Sequence, residues 1–415
     1  MDLYRPRLID QKLARLTSNF PAVMISGARA VGKTTTAKEY VKEIAALDIP
    51  GTAAAFRSNP DAALKRYGRP LLIDEWQEVP EIMGAIKRAV DLDSTPNQFI
   101  LTGSSDYSTE NKTWPGTGRI VREKMYGLSQ RELAHPINLE KPGLIQKIIS
   151  SSFADISVPK EMPTINDYVE MALQGGFPSL NFHKWEHDTR EIWLDSYIDE
   201  LINKDVRNIS ERRDHEKFRK YLKANALQSG TITSDSTLYD LVKINSKTAS
   251  DYDSILINLG LLEKTPAWSD NLLKRIALTP KRYLLDTGIL GRIADLNMNS
   301  IINDDKLLGN IFDTFSVAQI RPELAHNFNG AEKFHLRTNG GRHEVDLIVK
   351  LENGGLLAFE FKVGTSPTIS DAKHLIWLKG EIGSRLIAGV VLHGGNSIYQ
   401  LEERIYAIPI SSFWA

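Results

Sequence analysis

Gly27-Ala28-Arg29-Ala30-Val31-Gly32-Lys33-Thr34-Thr35 is the stretch that decides how the N-terminal part of this chain is read. Its first eight residues match G-x-x-x-x-G-K-[ST], with the apolar run Ala22 to Ser26 before them and a helix-compatible stretch after them. That strand–loop–helix context is what a phosphate-binding P-loop requires. The glycines let backbone N–H groups turn toward phosphates, the helix N-terminus adds the positive end of its dipole, and Lys33 reaches the outer phosphates. Thr34 is expected to offer its hydroxyl to magnesium. The bland alternative is a glycine-rich turn with an exposed lysine, and the flanking elements argue against it.

Working outward, Leu71-Leu72-Ile73-Asp74-Glu75 is an apolar strand ending in two acids at the carboxyl edge of the same expected sheet. Asp74 is expected to hold magnesium through water, and Glu75 to polarise the attacking water as general base. Phe99-Ile100-Leu101-Thr102-Gly103-Ser104-Ser105 reads as a third buried strand. Its last residues, Ser104 or Ser105, are placed to sense the γ-phosphate or hold water. Arg119 and Arg122 are candidates for an arginine finger reaching a neighbouring subunit, with an exposed strand carrying paired charges as the competing reading. A finger acting between subunits would imply a homo-oligomer.

Composition bounds the classes. A chain of 415 residues exceeds one hydrophobic core, so several domains are expected. With 42% hydrophobic and 25% charged residues it is an ordinary globular composition. A net charge of −1 restricts any DNA contact to local basic patches. The absence of cysteine removes disulfides and thiolate chemistry and fits a reducing compartment. The N-terminus lacks the apolar core of a signal peptide and no run is long enough to span a membrane. A cytoplasmic protein is expected.

Along the chain, residues 1–150 alternate buried strands with helices, the rhythm of a parallel sheet. Residues 151–215 turn helical, with Tyr168, Met171, Trp193, Tyr197, Ile198, Leu201 and Ile202 near helical spacing, and read as a lid or connector. Ser150-Ser151-Ser152 is the candidate linker. Residues 216–270 give two short helices, the cap Asn245-Ser246-Lys247-Thr248 of a third, and then Gly260, an order that suggests a winged helix. Residues 271–415 read as a second α/β domain, with a helix near Leu307 to Leu324 and strands at His335–Thr338, Glu344–Lys350, Leu356–Lys362 and Leu386–Leu392.

The set GARAVGKTTT, LLIDEWQEVP and FILTGSS resembles the AAA+ ATPases of bacteria and archaea, specifically the group whose C-terminal half is a domain of unknown function (number 4143). Gln174-Gly175-Gly176-Phe177-Pro178, Trp193 to Tyr197 with Asp205, and Pro280 to Gly288 extend the resemblance over nearly the whole chain. The resemblance implies ATP with Mg2+ as cofactors, Lys33 and Thr34 as nucleotide and magnesium ligands, Asp74 and Glu75 as Walker B acids, and Ser104 or Ser105 near the sensor position. Ala28 stands where many relatives have proline, a position that supplies backbone only.

A second acidic constellation lies in the C-terminal domain. Glu344-Val345-Asp346 opens one strand and Phe359-Glu360-Phe361-Lys362 closes the next, joined by the turn signal Glu352-Asn353-Gly354-Gly355. A hairpin centred near Asn353 sets Asp346 opposite Glu360, with Lys362 on the same face as Glu360, whereas a two-residue loop shifts the register by one. Two carboxylates and a lysine can hold magnesium and activate water. The pattern resembles the PD-(D/E)XK nuclease fold, with Asp313 on the preceding helix where many members carry glutamate. A charged hairpin in a domain that keeps the fold without cleavage is the competing reading.

Two further segments carry weaker signals. The helix from Ser246 to Asn258 holds Asp251 and Asp253 against Lys247 alone, which suits packing or a protein contact better than a DNA groove. Arg207, Arg212, Arg213, Lys217, Arg219, Lys220 and Lys223 form a basic run interrupted by acids, explained equally by a solvated helix face. Trp185, Trp193 and Tyr197 are expected to be core residues. The expected protein is thus α/β: a P-loop AAA+ ATPase domain, a helical lid, a winged-helix segment and a PD-(D/E)XK nuclease-like domain. Its leading reading is an ATP-driven switch acting on DNA. The alternative is a signalling or scaffold ATPase whose inactive nuclease-like domain binds a protein partner.

Overall fold

The structure is a computed structural model that describes residues 4–103, 118–134, 139–206, 215–269 and 278–415. Ser104, Ser105, Arg207, Arg212 and Arg213 lie outside them. The chain divides into two compact units. The first is Met1–Leu128 with Phe177–Ser179 and Asn258–Gly260; the second is Ser129–Gly176, Leu180–Ile257 and Leu261–Ala415.

In the first unit β1 (Ala22–Ser26), β2 (Glu43–Ala46), β3 (Leu71–Asp74), β4 (Phe99–Gly103) and β5 (Ile120–Lys124) form one sheet in the order β2-β3-β4-β1-β5. Every pair in it is parallel. The apolar runs at β1, β3 and β4 are buried almost throughout, as expected for strands covered on both faces. The helix Ile82–Leu92 turns Ile82, Met83, Ala85, Ile86 and Val90 onto this core, which also holds Leu71, Ile73, Phe99 and Leu101. Each large aliphatic or aromatic side chain buried in this way contributes roughly 1.5–3 kcal/mol. Because all five strands run the same way, Ser26, Asp74 and Gly103 end at one edge, and β4 lies between the strand of the P-loop and the strand of the acids. Edge strands β2 and β5 have weaker sequence signals because their outer residues, Glu43, Ile44 and Arg122 among them, are exposed.

In the second unit the helices His215–Leu227, Asp235–Val242 and Ser246–Asn258 stand in the order read from the sequence and are followed by the antiparallel pair β6 (Leu262–Thr265) and β7 (Lys281–Leu284), a pairing that reading did not contain. Asn245 caps the third helix, its Oδ1 accepting from the Thr248 N–H at 2.8 Å. Asp253 is buried, not a surface acid of that helix: it pairs with Arg282 and Lys264, so the exposed face carries Lys247 with Ser250, Ser254 and Ile257. Of the basic run, Arg219 pairs with Asp199 at 2.7 Å, Lys220 with Glu216 at 2.7 Å, and Lys223 with Asp295.

Trp185, Trp193 and Tyr197 are not core residues. Each is only partly buried; Trp193 stacks on Tyr197 with centroids 5.4 Å apart and Trp185 stacks on His183 at 4.9 Å, while Leu194, Ile198, Leu201 and Ile202 take the core positions. Their spacing gives one helical stripe, but the stripe is wider than the buried face.

The larger sheet of this unit runs β12-β13-β11-β10-β9-β8, built from β8 (Glu332–Arg337), β9 (Glu344–Lys350), β10 (Leu356–Lys362), β11 (Leu386–His393), β12 (Tyr399–Glu402) and β13 (Ile405–Pro409). β8, β9 and β10 pair antiparallel, whereas β10, β11 and β13 pair parallel. The long helix Asp305–Asn327 and the shorter Lys373–Ile382 pack on the sheet. No helix among the described residues is long and apolar enough to cross a membrane.

Candidate functional site

The P-loop leaves β1 through Gly27, whose φ of +146° places its Cα where an added Cβ would lie 2.2 Å from the Met125 carbonyl oxygen. Only glycine fits so close to that backbone. The loop closes at Gly32, left-handed at φ +101°, and the helix Lys33–Lys38 begins at the next residue. Lys33 is buried, and its Nζ donates to the carbonyls of Gly27 at 2.9 Å and Ala28 at 2.8 Å, so the ammonium lies inside the curve of the loop. Burial pulls its pKa down to about 8, opposed by the charges of Glu75 and Asp74.

Thr34, the next residue, points its hydroxyl at Asp74: Oγ1 donates to Oδ1 at 2.7 Å. Thr102 donates to the same oxygen from β4. Sheet register explains this meeting. β3 and β4 pair with Ile73 beside Leu101, so Asp74 falls next to Thr102 at the carboxyl edge. Glu75 follows in a left-handed conformation, φ +51°, which turns it out of the strand, and Gln77 Nε2 donates to its carboxylate.

Three contributors escaped sequence reasoning. Thr102 and Gln77 stand inside the quoted motifs, but only register and turn geometry aim them at the two acids. Arg7 carries no local signal at all: buried, it donates to the carbonyls of Val31 and Tyr126, each at 2.9 Å, and so braces the loop from the N-terminal segment. Arg119 stands just before β5, at the sheet end away from the P-loop, and pairs with Asp91 at 2.9 Å. Arg122 is exposed in the middle of β5, opposite Met24.

In the second unit the hairpin register is the one centred on Asn353. Phe359 pairs with Leu347, so the next step along the ladder brings Glu360 to Asp346. Asp346 Oδ2 accepts from the Phe361 N–H at 3.1 Å, and Lys362 Nζ lies 3.4 Å from Glu360 Oε2. Asp313, on the long helix, does come to this place, but with a partner that the sequence reading left out. Lys281 of β7, 2% exposed, sends Nζ between the two aspartates, 2.5 Å from Asp313 Oδ2 and 3.0 Å from Asp346 Oδ1. Tyr283 Oη donates to the other Asp313 oxygen at 2.9 Å.

The electrostatics follow from burial. It pushes Asp313 up to about 7 against the pull of Lys281, whereas for Asp346 burial is the largest single influence but is outweighed by the Lys281 charge and hydrogen bond together with the Phe361 N–H and the Lys362 charge, which hold the carboxyl below its usual range. Glu360 is raised well above the usual range by burial and the Asp346 charge, and its Oε1 is buried with no hydrogen-bond partner.

A magnesium ion fits the first site, where a hydroxyl and a carboxylate meet beside the P-loop. It does not fit the second in the same way, because an ammonium already sits between Asp313 and Asp346, and among the described residues no three His, Cys, Asp or Glu side chains group to hold a metal.

Comparison with known proteins gives matches to three successive parts of the chain. Residues 19–134 match the model of an AAA domain, residues 165–300 a domain of unknown function (DUF8612), and residues 308–413 a domain of unknown function (DUF4143). The chain therefore carries an AAA-type P-loop ATPase domain in its N-terminal part and a DUF4143 domain at its C-terminal end, in the order the sequence resemblance implied. Uncharacterized proteins of Mycobacterium bovis and Mycobacterium tuberculosis are each 24% identical over 402 residues, 96% of this chain and 82% of theirs. Among solved structures, a Walker-type ATPase of Pyrococcus abyssi is 15% identical and covers 70% of this chain and 96% of its own, with a TM-score of 0.40. A RuvB point mutant of Thermotoga maritima is 18% identical and covers 65% and 94%, with a TM-score of 0.28. The fold assignment rests on the sheet order and the loop, not on these two likenesses.

Proposed function

We propose that the chain binds ATP with Mg2+ at the P-loop and hydrolyses it, and that this cycle drives a switch. The observation that carries the reading is the Thr34 hydroxyl on Asp74 at the carboxyl edge of the parallel sheet, next to the buried Lys33. The Gly27 to Thr35 backbone and Lys33 bind the phosphates; Thr34 and Asp74 would hold the ion, which neutralises phosphate charge when bound. Glu75 accepts the proton of the attacking water, and Gln77 fixes the direction of its carboxylate. Ser104 or Ser105 as sensor and Arg119 or Arg122 as a finger in a homo-oligomer belong to the same reading. So does a cytoplasmic location.

For the rest of the chain two readings stand. In the first, the segment 216–270 is a winged helix, 271–415 is nuclease-like, and Asp346, Glu360 and Lys362 cut DNA. In the second, the nuclease-like domain does not cut and serves a protein partner in signalling, of a defence or toxin–antitoxin-like kind. The position of Lys281 favours the second. The test is ATP hydrolysis by the wild type, Lys33→Ala and Glu75→Gln, each with and without single- and double-stranded DNA, followed by a gel. Loss of turnover in both variants is expected; unchanged turnover in Lys33→Ala would overturn the ATPase reading. DNA-stimulated turnover with Mg2+-dependent cutting lost in Asp346→Ala would restore the first reading of the C-terminal domain.

A further inference from the structure

The acids that the nuclease resemblance assigns to a metal are Asp313, Asp346 and Glu360. A divalent ion held by the first two would have to lie within reach of an oxygen from each. That position is taken by a group of the chain itself. Lys281 Nζ is 2.5 Å from Asp313 Oδ2 and 3.0 Å from Asp346 Oδ1, and the side chain is 2% exposed. We propose that the Lys281 ammonium is a tethered cation standing in for a divalent metal, so that the C-terminal acidic cluster is charge-balanced without one and binds none.

Three features of the surroundings support this. The backbone of Lys281 is fixed: its strand β7 is laddered to β6, with Lys281 beside Thr265, and its neighbour Arg282 is anchored by buried ion pairs, so the strand delivers the ammonium to the two aspartates. The remaining oxygens of the two aspartates also have partners within the chain, Asp313 Oδ1 accepting from the Tyr283 hydroxyl at 2.9 Å and Asp346 Oδ2 from the Phe361 N–H at 3.1 Å. Glu360, the third acid, is turned toward a second cation of the chain itself, Lys362, at 3.4 Å. For a metal to enter, the Lys281 ammonium would have to leave a buried double ion pair, and removing one member of such a pair is costly. The lysine that the nuclease pattern requires is Lys362, so Lys281 is an additional cation and not the motif's own.

The inference goes beyond the ATPase reading and uses the second unit alone, so a failure of ATP hydrolysis leaves it intact. Its test is Mn2+ binding to the full, nucleotide-free chain, followed by electron paramagnetic resonance of the free ion. Wild type and Asp346→Asn are expected to bind the same number of Mn2+ per chain, since any ion at the P-loop is common to both. One more Mn2+ bound by the wild type would overturn the proposal. Separately, Lys281→Gln is expected to melt lower than the wild type, and a second change, Asp313→Asn, to recover much of the loss by removing the uncompensated acid. A Lys281→Gln chain that melts with the wild type, or a double variant no better than the single one, would also overturn it. The DNA gel reports on cutting independently of both measurements.

Discussion

Replacing Arg282 by methionine is the sharpest test of how the three helices of the second unit are joined to β7. Arg282 is fully buried, and its two terminal nitrogens serve three helices at once: Nη1 donates to Asn225 Oδ1 at 2.9 Å and Asp253 Oδ1 at 2.8 Å, and Nη2 to Asp253 Oδ2 at 2.8 Å and Asp235 Oδ1 at 2.6 Å. Methionine keeps most of the apolar stem and removes all four bonds. Taking one partner out of a buried ion pair costs about 3–5 kcal/mol, and the lower end applies here because Asp253 keeps Lys264 at 2.5 Å and the Tyr221 hydroxyl at 2.8 Å. With a urea m-value of about 3 kcal/mol/M for a unit of this size, a loss of about 3 kcal/mol moves the midpoint down by about 1 M.

The loss should depend on pH with a defined sign. Burial raises the pKa of Asp253, but the hydrogen bonds and charge of Arg282, with help from Lys264, outweigh it and hold the carboxyl below its usual value. A carboxyl depressed in the folded state contributes stability above its unfolded pKa, about 3.9, and loses it as pH falls through the folded value. The gap between wild type and Arg282→Met is therefore widest near neutral pH and narrows below about pH 4. The assay is urea denaturation at several pH values, with hydrogen exchange over His215–Leu227, Asp235–Val242 and Ser246–Asn258 to locate the loss. A neutral-pH loss under about 1 kcal/mol, or a gap that widens in acid, would rule out this role for Arg282.

Two further predictions concern the nucleotide site. Gly27→Ala puts a Cβ 2.2 Å from the Met125 oxygen at a φ of +146°, so the loop must shift; ATP binding, followed with a fluorescent analogue, is expected to drop at least tenfold while the circular dichroism spectrum is retained, about 1.4 kcal/mol or more of binding energy. Lys33, with its pKa pulled by burial to about 8, is charged below that value and neutral above it. Apparent ATP affinity should therefore weaken by about tenfold from pH 7 to about pH 9, a slope absent in Lys33→Met; a flat profile in the wild type would count against a phosphate role for this ammonium.

Features that depend on neighbours along the chain are legible in the sequence alone. The P-loop was one, because glycine and lysine spacing within eight residues dictates backbone shape, and β1, β3 and β4 were others, because strands buried on both faces are apolar throughout. The centre of the β9–β10 hairpin was legible from its turn, which brings Asp346 to Glu360. Contacts between distant segments emerged only with the packed chain. Thr102 reaches Asp74 only because β4 separates β1 from β3, an order no local pattern encodes. Arg7 braces Val31 and Tyr126 across 24 and 119 positions. Asp253 reads as a surface acid and Trp193 as core because helical periodicity gives a face but not what covers it. Lys281 reads as one residue of a run, yet it lies between two aspartates 32 and 65 positions away. One cause underlies all of these: a side chain's local sequence sets its direction, and only the packing of distant segments supplies the charge, hydroxyl or carbonyl it meets.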